Sequence, residues 1–484
     1  VSVGETKASR VTGRVPARAA KNRTARSERV ARLGLLRRSR AAYAESERYE
    51  KIVFWAMVLT PFSSAFTLNI GQTIRATDVL LVLAIAVYVL FARKQKVALV
   101  AGHWLLLALA GVVLFATSIN VLNLPPTGGA VSLAYPSGIT SQSVVYGALS
   151  CAVIAMAFVV SRTRLELIRL GLTLSIWLAA AATIFRIVLN DAGQGELLTS
   201  LGFASRYSGV DLEGGGGEGG ARQGPFLLGQ EFGFYSGFVL IICLRERAIF
   251  SALVAAYCIW TSQSTTAVVG LAAAVVLALL LAPRAVLFFF GIVASLVGIV
   301  FVISNNAARA FMELQLSKLG LTNSGDASIL GSLDLRSLKT EVGLRMMGDH
   351  VFGVGPNNFG AYFYDYDDIG TFPAWYYNGT KVIAENVYAQ IGAENGVIAL
   401  LIFVGLLAWL LLKLIRRGDA GYIAIFGFYA ISIATQAVYT YPMVFIFLGV
   451  LIGRAAQANA EVVTDKPVVT APKRVAAMPW RERR

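Results

Sequence analysis

Arg336, Arg345 and Glu385 stand in a polar stretch, residues 305–384 and the junction after it, that interrupts an otherwise apolar chain. An arginine fork makes bidentate, charge-assisted hydrogen bonds and therefore suits phosphate. Glu385-Asn386 opens an apolar run, which sets a carboxylate at a boundary between water and lipid. Partial desolvation there suits a general base. A second polar segment, 191–224, carries Arg206-Tyr-Ser-Gly209 and ends on Arg222-Gln-Gly-Pro-Phe226. Plainer roles stand beside each of these. The arginines can pair with nearby acids such as Asp334 or Glu341, and Glu385 can complement a helix N-terminus. Glu394 lies deeper in the apolar run, where an acid is costly and is either functional or held by buried hydrogen bonds. Gly353-Val-Gly355-Pro follows no strand, so it is a tight turn rather than a dinucleotide site. His350 is isolated and reads as structural.

The elements that must position these residues are membrane helices. The chain has 484 residues, 56% hydrophobic and only 15% charged, with a mean hydropathy of +0.64. Soluble domains carry about 25% charged residues. Many apolar runs approach the roughly 20 residues that cross a bilayer, and such runs must be helical because lipid offers no partner for open backbone. The pattern predicts an all-α polytopic membrane protein of about twelve spans: 52–69, 74–92, 103–122, 143–161, 168–190, 225–243, 247–262, 264–282, 285–304, 386–412, 420–438 and 440–457. One large extracytoplasmic loop, 305–384, falls between spans nine and ten. A helix is expected to start in it near Ser332 as N-cap, with Leu335, Leu338, Val342 and Met346 along one face.

Charge placement gives the orientation. Residues 1–51 hold 14 Lys/Arg against five acids, and 454–484 hold seven against three, so the tails carry nearly all of the net +15. Basic flanks beside apolar spans follow the positive-inside rule and attraction to anionic lipid. The tails lack the interleaved aromatics of a stacking surface, which argues against nucleic acid. Arg93–Lys96, Arg162 to Arg169, Arg245–Arg247, Arg284 and Lys413–Arg417 alternate with the neutral or acidic connections 123–142, 191–224 and 305–384. The basic N-terminal tail (1–51) and C-terminal tail (458–484) are thus expected in the cytoplasm, flanking spans one to nine (52–304) and ten to twelve (385–457). Cys151, Cys243 and Cys258 all sit in apolar runs and read as buried hydrophobes. With two histidines in the chain, a histidine-rich metal site is excluded.

Taken together, the motifs resemble the O-antigen ligase and polymerase family of bacterial envelope glycosyltransferases. The resemblance runs through Arg336, His350 fourteen residues later, Gly353-x-Gly355-Pro-x-Asn358-Phe359, Glu385-Asn386, Tyr388, Gln390, Glu394 and Gly396. Arg222-Gln-Gly-Pro resembles the family's earlier arginine–glycine element, for which Arg206 is the rival. Ser262–Ala267 resembles its Ser-Arg element without the arginine. Where the family often has histidine before the asparagine, this chain has Glu385, as related exopolysaccharide polymerases do.

The resemblance implies an inner-membrane polymerase of polyprenyl-diphosphate-linked oligosaccharides, acting by inverting, metal-independent transfer with no cofactor. It implies Glu385, Arg336 and Arg222 as catalytic residues. Arg206, Arg345, His350, Gly353, Gly355, Asn358, Asn386, Tyr388, Gln390 and Glu394 would line the substrate. Implied partners are the lipid-linked oligosaccharide, membrane lipids and chain-length regulator or export proteins. Ligase-type transfer to another acceptor is the alternative, and a flippase the rival of another class. The alternating connections predict that reporter fusions after Lys96 and near Asp326 score on opposite sides of the membrane. Fusions scoring on the same side would overturn the span count.

Overall fold

A computed structural model describes residues 43–62, 68–69, 73–74, 76–91, 99–122, 139–194, 197, 224–226, 228–281, 327–366, 382–435 and 441–464. Among them the chain is helical, apart from a two-residue antiparallel hairpin, β1 (Leu68–Asn69) with β2 (Thr73–Ile74), in the register Leu68 to Ile74. The helices are α1 (Arg48–Leu59), α2 (Ala76–Phe91), α3 (Ala101–Leu122), α4 (Ile139–Arg162), α5 (Leu165–Asp191), α6 (Gly229–Arg245), α7 (Ile249–Ser262) and α8 (Thr265–Leu281). They continue with α9 (Ala327–Asp349), α10 (Phe359–Phe363), α11 (Val387–Arg417), α12 (Ala420–Ser432) and α13 (Pro442–Thr464).

Each expected span that falls on described residues coincides with one of these helices; the ninth, 285–304, lies outside them. Four helices, α3, α4, α5 and α11, are long and apolar enough by themselves to cross a membrane. Most of the others are shorter than the sequence suggests. α1 stops at Leu59 rather than running to 69, because Pro61 follows in a 3₁₀ turn and cannot continue the ladder. Its twelve residues reach about 18 Å, short of a hydrocarbon core of about 30 Å. At the other extreme, α13 continues to Thr464, beyond the expected start of the tail at 458. α9 begins at Ala327, so Ser332 lies inside that helix and is not its cap.

Between lipid-embedded helices there is no hydrophobic drive, so close packing of small residues must supply the contact. A Cβ at Gly449 would press on Ala157 and Val160 of α4, and one at Gly237 would enter the Phe428 ring of α12. Around these approaches sits an aromatic core in which Phe238 stacks on Phe447 at 3.7 Å, with Phe234 edge-on to the same ring. At one end of the bundle the basic connections meet a few acids. Asp419 caps α12 and takes Arg245 at 3.1 Å and Arg454 at 3.0 Å, while Arg169 pairs with Glu246 at 3.0 Å. Burial pushes the Asp419 carboxyl up, but the hydrogen bonds and charges of Arg245 and Arg454 outweigh it and hold the group below its ordinary value. The polar loop stretch lies at the opposite end.

The tenth expected span, 386–412, is not one continuous crossing. α11 is broken at Gly396, where φ is 86° and ψ 171°. The stretch from Val397 to Arg417 spans roughly 30 Å without help, and about two turns of helix, residues 387–395, precede the break. A side chain at Gly396 would meet the Val351 carbonyl as well as the left-handed backbone penalty. Gly396→Ala should therefore lower stability by about 1–3 kcal/mol or more, seen as a lower unfolding temperature in detergent. Gly405→Ala, with open space at its Cβ, should leave that temperature unchanged or raise it. Equal effects from the two would remove the constraint assigned to the break.

Candidate functional site

The break in α11 is filled by the glycine turn. In an unbroken helix the carbonyls of Ala393 and Glu394 would accept from the next turn of α11. Here they accept from Val354 N–H at 2.8 Å and Gly355 N–H at 2.9 Å, while Val397 N–H donates to the Val351 carbonyl at 3.0 Å. Gly353 and Gly355 both have positive φ, at 78° and 94°. A Cβ on Gly353 would strike the Glu394 backbone. Gly353 thus permits a backbone-to-backbone approach, while a Cβ on Gly355 would crowd the side chains of Asn120 and Asn358.

The side chains around the turn finish the fastening. Glu394, 1% exposed, accepts Asn357 N–H on Oε2 at 2.8 Å and the Gln390 amide on Oε1 at 3.0 Å. Asn358 donates to the Val354 carbonyl at 2.9 Å and accepts the Ser143 hydroxyl from α4 at 2.9 Å. Asn120 of α3 donates to the Gly353 carbonyl at 3.1 Å. Gly353, Gly355, Asn358, Gln390 and Glu394 therefore have partners within the protein, and the turn ties α3, α4 and α11 together. Glu394 sits two residues before the break in α11.

Along the expected face of α9, Val342 and Met346 are buried and Leu338 packs beside them against Phe359, Phe363, Val382 and Ala393; the Leu335 side chain lies outside the described residues. His350 ends that helix, donating its N–H to Met346, and its ring meets Tyr362 edge-on at 5.3 Å. The Tyr366 hydroxyl donates to Asp349 at 2.9 Å; burial, then the bond and the charges of Asp349 and Asp365, push its ionisation up to about 12. Arg345 pairs with Glu341 at 2.7 Å on the exposed side, the plain pairing that its sequence neighbourhood allows.

Arg336 does otherwise. Its Nε contacts Glu385 Oε2 at 3.0 Å, across 49 positions of sequence, while the nearer Glu341 is engaged by Arg345; the Asp334 side chain lies outside the described residues. Lys339, three residues on along the same helix face, donates to Glu385 Oε1 at 2.7 Å. Arg336 also donates to the side-chain amide oxygen of Gln230, in the first turn of α6, at 3.5 Å. Glu385 itself has a left-handed backbone, φ 53°, unusual for a residue with a side chain. Asn386 follows as N-cap, accepting from Tyr388 N at 3.0 Å and Ala389 N at 3.2 Å. Tyr388 donates to the Ala430 carbonyl of α12 at 2.8 Å, so it too is an anchor.

Arg206 and Arg222 lie outside the described residues. Just after Arg222, Gly224 takes φ 52° and its carbonyl accepts from the buried Arg186 of α5. Phe226 then stacks on Phe232 at 5.5 Å. The segment that follows Arg222 thus leads into the helix end that carries Gln230, beside Arg336. Of the residues picked from sequence, Arg336 and Glu385 come together. Lys339, Gln230 and Arg186 were not picked. Only the i, i+3 spacing of Arg336 and Lys339 signals one of them, since a single lysine otherwise reads as a solvated charge.

Residues 250–404, about a third of the chain, match the model of a family described as O-antigen ligase. The matched segment runs from the start of α7 into α11 and contains Arg336, Lys339, Glu385 and the glycine turn, but neither Arg206 nor Arg222. No match is found among curated proteins.

Glu394→Gln keeps one acceptor oxygen but turns an NH₂ toward one of two donors. That should cost about 1–3 kcal/mol, measured as a fall in unfolding temperature. Glu341→Gln, which breaks an exposed pair, should cost at most about 1 kcal/mol. Equal unfolding temperatures for both variants and the wild type would show that the Glu394 bonds do not fasten the turn.

Proposed function

We propose that this chain, whose residues 250–404 match the O-antigen ligase model, is a membrane glycosyltransferase that polymerises polyprenyl-diphosphate-linked oligosaccharides on the outer face of the inner membrane. The observation that carries this is the meeting of Arg336, Lys339 and Glu385 at the end of the bundle opposite the basic connections. Among the described residues, two cations meet on one carboxylate, an arrangement suited to receiving a diphosphate headgroup.

In the reaction, the acceptor hydroxyl oxygen attacks the anomeric carbon as the bond from that carbon to the diphosphate oxygen breaks. The electron pair leaves with the polyprenyl diphosphate, and configuration inverts. Glu385 takes the hydroxyl proton, and Arg336, with Arg222 from the neighbouring segment, stabilises the charge that grows on the leaving diphosphate. The donor carries its own activation, so the chemistry needs only positioned charge and a base. Both tails lie in the cytoplasm in this reading, and the chain crosses the membrane about twelve times. Ligase-type transfer to a separate lipid or protein acceptor is the second reading, favoured by the description of the matched family. It uses the same residues with a different acceptor.

Arg336→Lys keeps the charge but loses the fork, and should lose most of the transfer activity; Arg345→Lys should be mild. Glu385→Gln should slow elongation by about 10²–10⁴-fold. The assay is polymer length made by purified protein from lipid-linked repeat units, with folding checked by thermal unfolding. Full-length polymer from Glu385→Gln would remove the assigned base, and single-step capping of an acceptor without elongation would favour ligase-type transfer.

A further inference from the structure

The two cations on Glu385 are not equivalent. The Lys339 side chain is 4% exposed and approaches Oε1 at 2.7 Å; the Arg336 side chain is 40% exposed and meets Oε2 through Nε at 3.0 Å. Lys339 lies between Leu338 and Val342, beside the small apolar core beneath α9. Arg336 is on the open side, and its second contact, to Gln230, is at the limit of a hydrogen bond. Separating a covered ammonium from a carboxylate at 2.7 Å is costly, because burial strengthens the pair and penalises the parted charges. Moving the exposed guanidinium costs less.

We infer that Lys339 is a positioning residue that stays on Glu385 Oε1, while Arg336 is the exchangeable partner that an arriving diphosphate draws off Oε2. This rests on the transferase reading given above. The strained backbone at Glu385 fits such a role, because a side chain on a left-handed residue is held where its contacts hold it. The consequence is an order of events. With no diphosphate bound, both carboxylate oxygens carry a cation. When the donor binds, Oε2 is turned over to the acceptor hydroxyl and Oε1 keeps its grip on α9. The site therefore assembles its base only around a bound donor.

The other groups near Glu385 among the described residues do not substitute for Lys339. Gln230 of α6 is neutral, Glu231 beside it is buried, and Glu341, a turn further along α9, is engaged by Arg345. On α11, Asn386 caps the helix and Glu394 serves the glycine turn.

The test reads the protonation of Glu385 without relying on turnover. Purified full-length chain in detergent is treated with a carbodiimide and an amine across a pH series, and labelling of Glu385 is followed by mass spectrometry. Loss of a neighbouring cation makes a carboxylate easier to protonate, so Lys339→Met should move the half-labelling point to higher pH, by about one unit or more. Lys339→Arg should stay near wild type. Inorganic pyrophosphate should move the wild-type point upward as well, and should have no further effect in Arg336→Met. Should Lys339→Met not insert, Lys339→Gln gives the same comparison, and the double variant Lys339→Met/Glu385→Gln should regain folding. A half-point in the lysine variants equal to wild type, or a pyrophosphate effect that persists without Arg336, overturns the inference. Parallel elongation assays separate the two levels. A wild type that labels as expected but elongates nothing sinks the transferase reading alone. One that elongates while Lys339→Met keeps the wild-type acidic limb in its pH–rate profile sinks the role of Lys339 alone.

Discussion

The backbone exchange at Gly396 is the constraint on which the polar end of the bundle depends. A helix that crosses lipid cannot leave carbonyls unpaired, and breaking one frees several backbone groups at once. Here the freed carbonyls of Ala393 and Glu394 and the freed N–H of Val397 are all taken by the turn 351–355. The exchange is possible only because the chain can approach within backbone distance, which is what Gly353 and Gly396 permit. It fixes the two turns of helix, residues 387–395, that precede the break, and with them Asn386 and Glu385. It also fixes the end of α9, since His350 and Gly353 are hydrogen-bonded neighbours. The two elements that carry the charged cluster are thus tied to one point.

From that point the charge arrangement follows. α9 leaves the turn with its apolar face on the small core and its next face toward Glu385, so residues 336 and 339 reach the same carboxylate. The ordinary weakness of a solvent-exposed ion pair applies to Arg336 but not to Lys339, which is covered. A site with one fixed and one exposed cation is suited to exchanging the exposed one for a phosphate. A site with two equally buried cations would not be.

Much of this was legible in the sequence where it depended on local pattern. The apolar runs located the helices, and the alternating charge of the connections agrees with the gathering of Arg169, Arg245, Arg454 and Asp419 at one end. Asn386 could be read as standing at a helix start and Gly353-Val-Gly-Pro as a turn, because caps and turns depend on neighbours in sequence. The break at Gly396 was not legible, since Glu394-Asn395-Gly396 leads directly into an apolar run and reads as part of it. Nor could the sequence show that the turn and the break complete each other. Lys339 was missed for a related reason. Its burial, and its pairing with Glu385 46 positions away, depend on tertiary packing that a single lysine in a polar stretch does not signal.

The same distinction bears on how the motif should be understood. Gly353, Gly355, Asn358, Gln390 and Glu394 first stood out as residues that line a substrate. In the fold they spend their polar groups on α3, α4, α11 and one another. Chemistry of the kind proposed needs groups whose partners can be replaced. Arg336 meets that requirement through its exposure, and Glu385 meets it through its bond to Arg336. Fastening needs the opposite, groups that are buried and paired on every side that matters. A spaced set of polar residues in a membrane loop can therefore combine two populations, one that builds the platform and one that works on it. Burial, rather than residue type, separates them: Glu394 at 1% exposed fastens the turn, whereas the Glu385 side chain at 23% is the more open carboxylate, which the proposed reaction requires.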